Sequence, residues 1–189
     1  MIYETIVTTP AQDGGVHLAP MGIREQEGLI VIAPFRPSTT LDNLLRERLA
    51  VINLTDDVRI FAGCLTGRRD WPLMPARKIR GGVLRQALAH KEVEVETVQD
   101  DEVRPRFYCR VLHQENHAPF QGFNRAQAAV LEAAVLVSRL HLLPAEKIDR
   151  ELDYLRIAVD KTAGPREREA WDWLMERIAG HRREKGHAA

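Results

Sequence analysis

The sequence predicts an α+β fold in which a small antiparallel β-barrel carries a C-terminal helical extension. Two observations lead there. Up to about residue 120, short β-like runs are separated by Gly, Pro and Asp signals, and beyond it helical periodicity dominates. The strands are also too short, and the crossover segments too few, for a doubly wound parallel sheet. The 189 residues divide into a barrel over 1–122 and an extension over 123–189.

The elements follow in order. Ile2–Thr8 is rich in β-branched residues and reads as a strand. Asp13-Gly14-Gly15 turns the chain into a second strand, Val16–Arg24, and Glu25–Gly28 leads to a third. That third run, Leu29–Ala33, is continuously apolar, as in a strand buried on both faces, and the three form a meander. Pro34 and Pro37 break the sheet. A helix follows with Ser38 or Thr39 as cap and with Leu41, Leu44, Leu45 and Arg48 on one face. Leu49–Leu54 is another buried strand, and Thr55-Asp56-Asp57 caps a short helix over Val58–Leu65. Gly67–Gly82 is basic and aperiodic, as in a surface loop. Val93–Val98 alternates strictly, and Arg106–Gln114 places Phe107, Cys109, Val111 and His113 on one strand face. Asn124 caps the longest helix, which runs to about Leu143 before Pro144. Two more helices, Ala145–Lys161 and Arg166–Ala179, precede a tail expected to fray from His181.

Composition narrows the function. The 27 Lys and Arg balance 27 Asp and Glu, so no long-range positive field recruits nucleic acid. Charge instead gathers locally, positive at Arg36 and over Arg68–Arg80 and negative over Glu92–Asp101, which suits a small phosphorylated ligand better than a polyanion. The two cysteines, Cys64 and Cys109, form no CxxC pair, and two buried thiols in a reducing compartment are favoured over an isolated disulfide. The opening MIYETIVTTP lacks a basic segment before an apolar stretch, so a cytoplasmic location is expected. Ala126–Leu143 is interrupted by Glu132 and Arg139, which argues against a membrane span.

Three segments are candidates for ligand chemistry. At Arg36-Pro37-Ser38-Thr39-Thr40 a strand gives way to a helix start, where free N–H groups and the dipole favour an anion. Arg36 adds a forked donor, and Ser38, Thr39 and Thr40 add hydroxyls. The bland alternative is an ordinary cap beside a solvated arginine. In His17–Gly22, Pro20 within a strand marks an edge or bulge, and the small Ala19 and Gly22 with soft Met21 leave room for a flat ligand. Asn53 breaks an apolar strand and needs partners from the protein or from a ligand.

Among the other residues, His113 and His117 stand four apart, a metal-pair spacing on a helix, but here at a strand end, where a surface or interface role is favoured and no metal is expected. Cys64, near a helix end, is the more reactive thiol of the two, though no base stands beside it. Arg68, Arg69, Arg77, Lys78 and Arg80 surround Trp71, either gripping an anionic substrate or simply solvated. Hydrolytic, P-loop and dinucleotide fingerprints are absent from the sequence.

The order of these segments resembles the FMN-binding split-barrel superfamily, which includes flavin reductases and flavoredoxins, and within it an uncharacterised family known as a domain of unknown function. The similarity rests on an Ala-Pro-Met-Gly strand at Ala19–Gly22, a T-x-x-N-L helix at Thr40–Leu44, and a V-x-N-x-T-D-D-V-x-x-F-A stretch at Val51–Ala62. Asn124-Arg125-Ala126, Glu132-Ala133 and Ser138–Leu142 of the late helix also look like that family. The resemblance implies a split β-barrel of the FMN-binding type. It places the isoalloxazine ring along Ala19, Pro20, Met21 and Gly22 and the phosphate at Arg36, Ser38, Thr39 and Thr40. Asn43 and Asn53 match positions that support the cofactor region. It further implies a homodimer and a flavin-dependent oxidoreductase served by NAD(P)H or a protein electron donor. The alternatives are a non-catalytic flavin carrier or sensor, and a barrel that has lost its cofactor.

Overall fold

The structure, a computed structural model, describes residues 1–187. The chain divides into two compact units: residues 1–55 with 71–120, and residues 56–70 with the chain from 121 onward.

The first unit is a closed antiparallel barrel of six strands, which run around it in the order 3–10, 16–26, 29–32, 106–116, 89–99 and 49–54. β1 (Tyr3–Pro10) and β2 (Val16–Gln26) pair from Tyr3↔Ile23 to Pro10↔Val16. The turn between them needs Gly14 at φ +86°, and the Asp13 carboxylate accepts from Gly15 N–H at 2.9 Å. β3 (Leu29–Ile32) follows a turn at Glu27 and Gly28, both at positive φ. The meander is therefore present, and Ile30, Val31 and Ile32 are all buried, as their unbroken apolar run requires.

The Arg36–Pro37 peptide is cis. Ser38 caps α1 (Thr39–Glu47), its Oγ accepting from Leu41 N–H at 3.2 Å. Leu41 and Leu44 enter the barrel core beside Val7, Ile32, Ile52, Val93 and Phe107. Two details differ from expectation. Leu45 is exposed, and Arg48 leaves the helix in the left-handed region as its C-cap, so the helical face ends one turn earlier.

β4 (Leu49–Leu54) lies between β1 and β7. β7 (Ala89–Gln99) starts four residues before the alternating run, because His90 and Glu92 are polar yet buried. β8 (Arg106–Asn116) returns along β7. A ladder irregularity pairs Val93 with Val111 but Glu92 with His113. His113 therefore leaves the face of Phe107, Cys109 and Val111, correcting the single face expected for all four.

The expected loop over 67–82 contains half of a small sheet. β5 (Leu73–Pro75) pairs with β6 (Gly82–Leu84). These strands are three residues long and rich in Gly and Pro, so no periodicity announces them. Gly82 lies in a close approach: a β-carbon there would stand 3.0 Å from Leu73 Cδ1 and 3.1 Å from Val16 Cγ2, so both side chains would have to give by a few tenths of an ångström.

The second unit is helical. Within the expected Thr55-Asp56-Asp57 cap it is Asp57 that caps α2 (Val58–Leu65), and it is clamped by Arg59 at 2.7 Å. Asn124 caps α3 (Arg125–Ser138) by accepting from Ala126 and Gln127 N–H. α3 stops before Leu143 because the chain tightens at Arg139, whose N–H bonds Leu136 O at 3.0 Å. α4 (Ala145–Thr162) and α5 (Pro165–His187) complete the unit. Alanines at 126, 129 and 133 let α3 pack closely with Val58, Leu152, Trp171 and Leu174. α5 is helical past His181, where a frayed tail is expected, to His187, and Arg182 pairs with Asp149. Residues 188–189 lie outside the described residues. Among the described residues, no helix is long and apolar enough to cross a membrane.

Candidate functional site

β2 is paired unequally on its two edges. β1 covers it from Val16 to Ile23, whereas β3 covers only Ile23–Gln26. Over Ala19, Pro20, Met21 and Gly22, no strand among the described residues lies along the second edge. All four are partly exposed, and Met21 packs against the barrel core. Thr5 Oγ1 pins the strand by donating to Met21 O at 2.8 Å. Gly22 admits little in place of its hydrogen, since a β-carbon would meet Ile2 Cγ2 at 2.8 Å. The result is an exposed stretch of backbone on a rigid strand with small side chains. Such an edge suits a flat, multiply hydrogen-bonding ring.

α1 packs against both β1 and β2. Its first-turn N–H groups, those of Thr39 and Thr40, have no carbonyl partner within the helix. Ser38 spends its hydroxyl on the cap, Thr40 is buried, and Thr39 is the exposed hydroxyl of the three. Arg36 is exposed and its guanidinium lies 3.0 Å from Asp100, which is itself exposed.

The two asparagines are placed differently. Asn43 Nδ2 donates to Thr9 Oγ1 at 2.9 Å, and its Oδ1 accepts from Arg46 at 2.8 Å. Asn53 has no exposed surface; its Nδ2 donates to Ile6 O at 3.0 Å and its Oδ1 accepts from Leu84 N–H at 2.8 Å. Both amides thus hold backbone or neighbouring side chains. Asn53 latches β6 onto β4 and β1, aided by Thr8 Oγ1 donating to Gly82 O at 2.6 Å.

Neither thiol is activated. Burial pushes Cys64 up to about 11 and Cys109 up to about 12, so Cys64 is the less strongly raised of the two, in the expected order, but still far from a thiolate. The basic cluster is dispersed into pairs: Arg77 with Glu115, Arg80 with Glu47, and Arg68 with Glu176.

A polar network that the sequence reading missed lies on the outer face of β7 and β8. Glu92 is fully buried and accepts from the N–H groups of Arg77 (2.7 Å), Lys78 (2.7 Å) and Ile79 (3.1 Å). Burial pushes its carboxyl up, but these N–H groups and His90 prevail and hold it below the usual carboxylate range. His90 Nε2 lies 3.3 Å from Glu92 Oε1, and His90 Nδ1 lies 2.8 Å from His117 Nε2. The alternation of β7, continued backwards from Val93, puts His90 and Glu92 together on its polar face but gives no sign that this face is buried.

A closed six-stranded antiparallel barrel with one open strand edge is a split barrel of the type found in flavin-binding proteins. The chain belongs to the family described as protein of unknown function (DUF447): its N-terminal domain matches residues 3–118 and its C-terminal region residues 124–176. FMN-bound protein MM1853 from Methanosarcina mazei, of the same family, superposes with a TM-score of 0.80 at 22% identity, over 93% of this chain and 94% of that one. The 2-nitrobenzoate 2-nitroreductase NbaA of Pseudomonas fluorescens gives 0.53 at 19% identity, over 60% of this chain and 64% of that one. The NADH:FAD oxidoreductase SgcE6 of Streptomyces globisporus gives 0.52 at 10% identity, over 60% and 70%. Comparison with curated proteins yields no match.

Proposed function

We propose that this protein binds FMN along the open edge of β2 and acts as a homodimeric, cytoplasmic flavin-dependent oxidoreductase. The carrying observation is the unequal pairing of β2, which leaves Ala19–Gly22 without a second neighbour. The FMN held by MM1853, a member of the same family, supports the choice of flavin. When bound, FMN supplies the redox chemistry, and the protein supplies orientation and electrostatics.

The residues fit that group. Backbone along Ala19–Gly22 offers hydrogen bonds to the ring while Met21 and the neighbouring core keep the strand rigid. The N–H groups of Thr39 and Thr40, the Thr39 hydroxyl and Arg36 offer the phosphate a dipolar and charged cradle. Arg36 gives up little to reach it, because an exposed pair such as that with Asp100 contributes weakly. Asn43 and Asn53 act on the cofactor region through the backbone they hold. Phe35, Leu45 and Val103 expose apolar surface on the barrel, which supports a second copy as partner.

The test is spectroscopic. Protein as purified, or titrated with FMN, is expected to carry a flavin spectrum and to sediment as a dimer. Anaerobic mixing with NADH or NADPH is then expected to bleach it at a catalytic rate. A protein that takes up FMN but is bleached by neither donor nor by a reduced electron-transfer protein is a carrier, contrary to the oxidoreductase reading.

A further inference from the structure

The outer face of β7 and β8 carries a cluster that the flavin reading does not use. His90 stands opposite Glu115 and Glu92 opposite His113 in the antiparallel ladder, so the side chains form a compact square. A ring nitrogen of His90, a ring nitrogen of His113 and a carboxylate oxygen of Glu115 all lie within 4.8 Å of one another. We propose that His90, His113 and Glu115 form a binding site for a divalent transition metal of the zinc type, with His117 as fourth ligand.

Spacing supports this first. Ligand bonds of about 2.0–2.1 Å in a tetrahedral zinc site put neighbouring ligand atoms roughly 3.3–3.4 Å apart. His113 Nε2 and Glu115 Oε2 are already 3.4 Å apart. A ring nitrogen of His90 stands within 4.8 Å of both.

Support behind the ligands is the second argument. Metal-bound histidines usually give their other nitrogen to a carboxylate or carbonyl. Here Glu92 faces His90 Nε2 and is itself fixed by the three N–H groups of Arg77, Lys78 and Ile79. That leaves Nδ1 as the ligand atom of His90. Nδ1 points at His117 Nε2, 2.8 Å away, with the two ring planes 3° apart. A metal entering this contact replaces one hydrogen bond with two coordinate bonds. Glu115 is steadied in turn by Arg77, 3.3 Å from its other oxygen.

Ligand chemistry is the third argument. Three imidazoles and one carboxylate select zinc, cobalt or nickel over magnesium or calcium, which prefer all-oxygen shells. The site is separate from the flavin edge: Pro20 pairs with Ile6, Ile6 with Asn53 and Asn53 with His90, which places three strand spacings between them.

The test uses the full chain, stripped with a chelator and titrated with Co2+ while absorption is read at wavelengths beyond the flavin bands. One Co2+ per chain, with visible d–d bands that equimolar Zn2+ abolishes, is expected. His113→Ala and Glu115→Gln are each expected to weaken binding by at least tenfold, and His141→Ala, on an exposed turn, to leave it unchanged. Glu115→Gln conserves shape, so it reports on coordination even if His113→Ala disturbs the ladder. Absence of d–d bands, or Co2+ affinity unchanged in both ligand variants, overturns the proposal.

Discussion

Across β4 and β7 the outer face of the barrel buries Asn53 and Glu92 against the β5–β6 segment, and each donor and acceptor described there meets a protein partner. On β2, two strands away from β4, the same sheet exposes Ala19–Gly22 and offers no polar side chain at all. Asn53 and Glu92 themselves are occupied with holding the fold together. The plain edge of β2 is where a flat ring has backbone left to bind. A polar residue interrupting an apolar strand is thus a poor guide to a ligand when its hydrogen bonds are already spent.

The sharpest way to break this comparison is at Glu92. Glu92→Ala leaves three N–H groups of the 77–79 turn without their acceptor and is expected to destabilise the protein by about 3 kcal/mol, read from the shift of a urea midpoint. Glu92→Gln, which keeps an acceptor oxygen, is expected to cost less. The pH dependence has a definite sign. Because the folded protein holds the Glu92 carboxyl below its ordinary value of 4.5, its contribution is complete above that pH. It is lost as pH falls through the lower folded-state value. Wild type and Glu92→Gln therefore converge in stability toward acid pH; a constant gap down to that range contradicts the assignment.

Asn53→Ala is next, at about 2 kcal/mol of stability for a buried amide that bridges β6 to β1. FMN affinity of the folded variant is expected to stay within twofold of wild type. Loss of FMN affinity with unchanged stability would make Asn53 a ligand contact after all.

The barrel, its meander and most helix boundaries were legible because they rest on local signals: unbroken apolar runs at Leu29–Ile32 and Leu49–Leu54, and caps at Ser38 and Asn124. The β5–β6 pair was not, because strands of three residues carry no period. His90 and Glu92 were hidden for a different reason. The contacts that bury Glu92 come from a turn thirteen to fifteen residues earlier in the chain, which only the folded sheet brings over it. The open edge of β2 was legible only in part. Pro20 signalled an edge, but where β3 stops pairing is a property of the sheet.

Two smaller effects sharpen the ligand side. Arg36→Ala is expected to weaken FMN binding by about 1–3 kcal/mol if a charge-assisted bond to the phosphate is made, with the urea midpoint unchanged. Asp100→Asn releases Arg36 from its exposed pair and is expected to tighten FMN by less than about 1 kcal/mol. Tighter binding in Arg36→Ala, or weaker binding in Asp100→Asn, would move the phosphate away from this end of α1.

The most direct measurement compares FMN with riboflavin, which differ only in the phosphate, by fluorescence titration of the flavin-free protein. A ring on the β2 edge with its phosphate at Arg36 and the start of α1 predicts one flavin per chain and FMN bound at least tenfold more tightly than riboflavin. Equal affinity for the two, or no binding of either by folded protein, contradicts it.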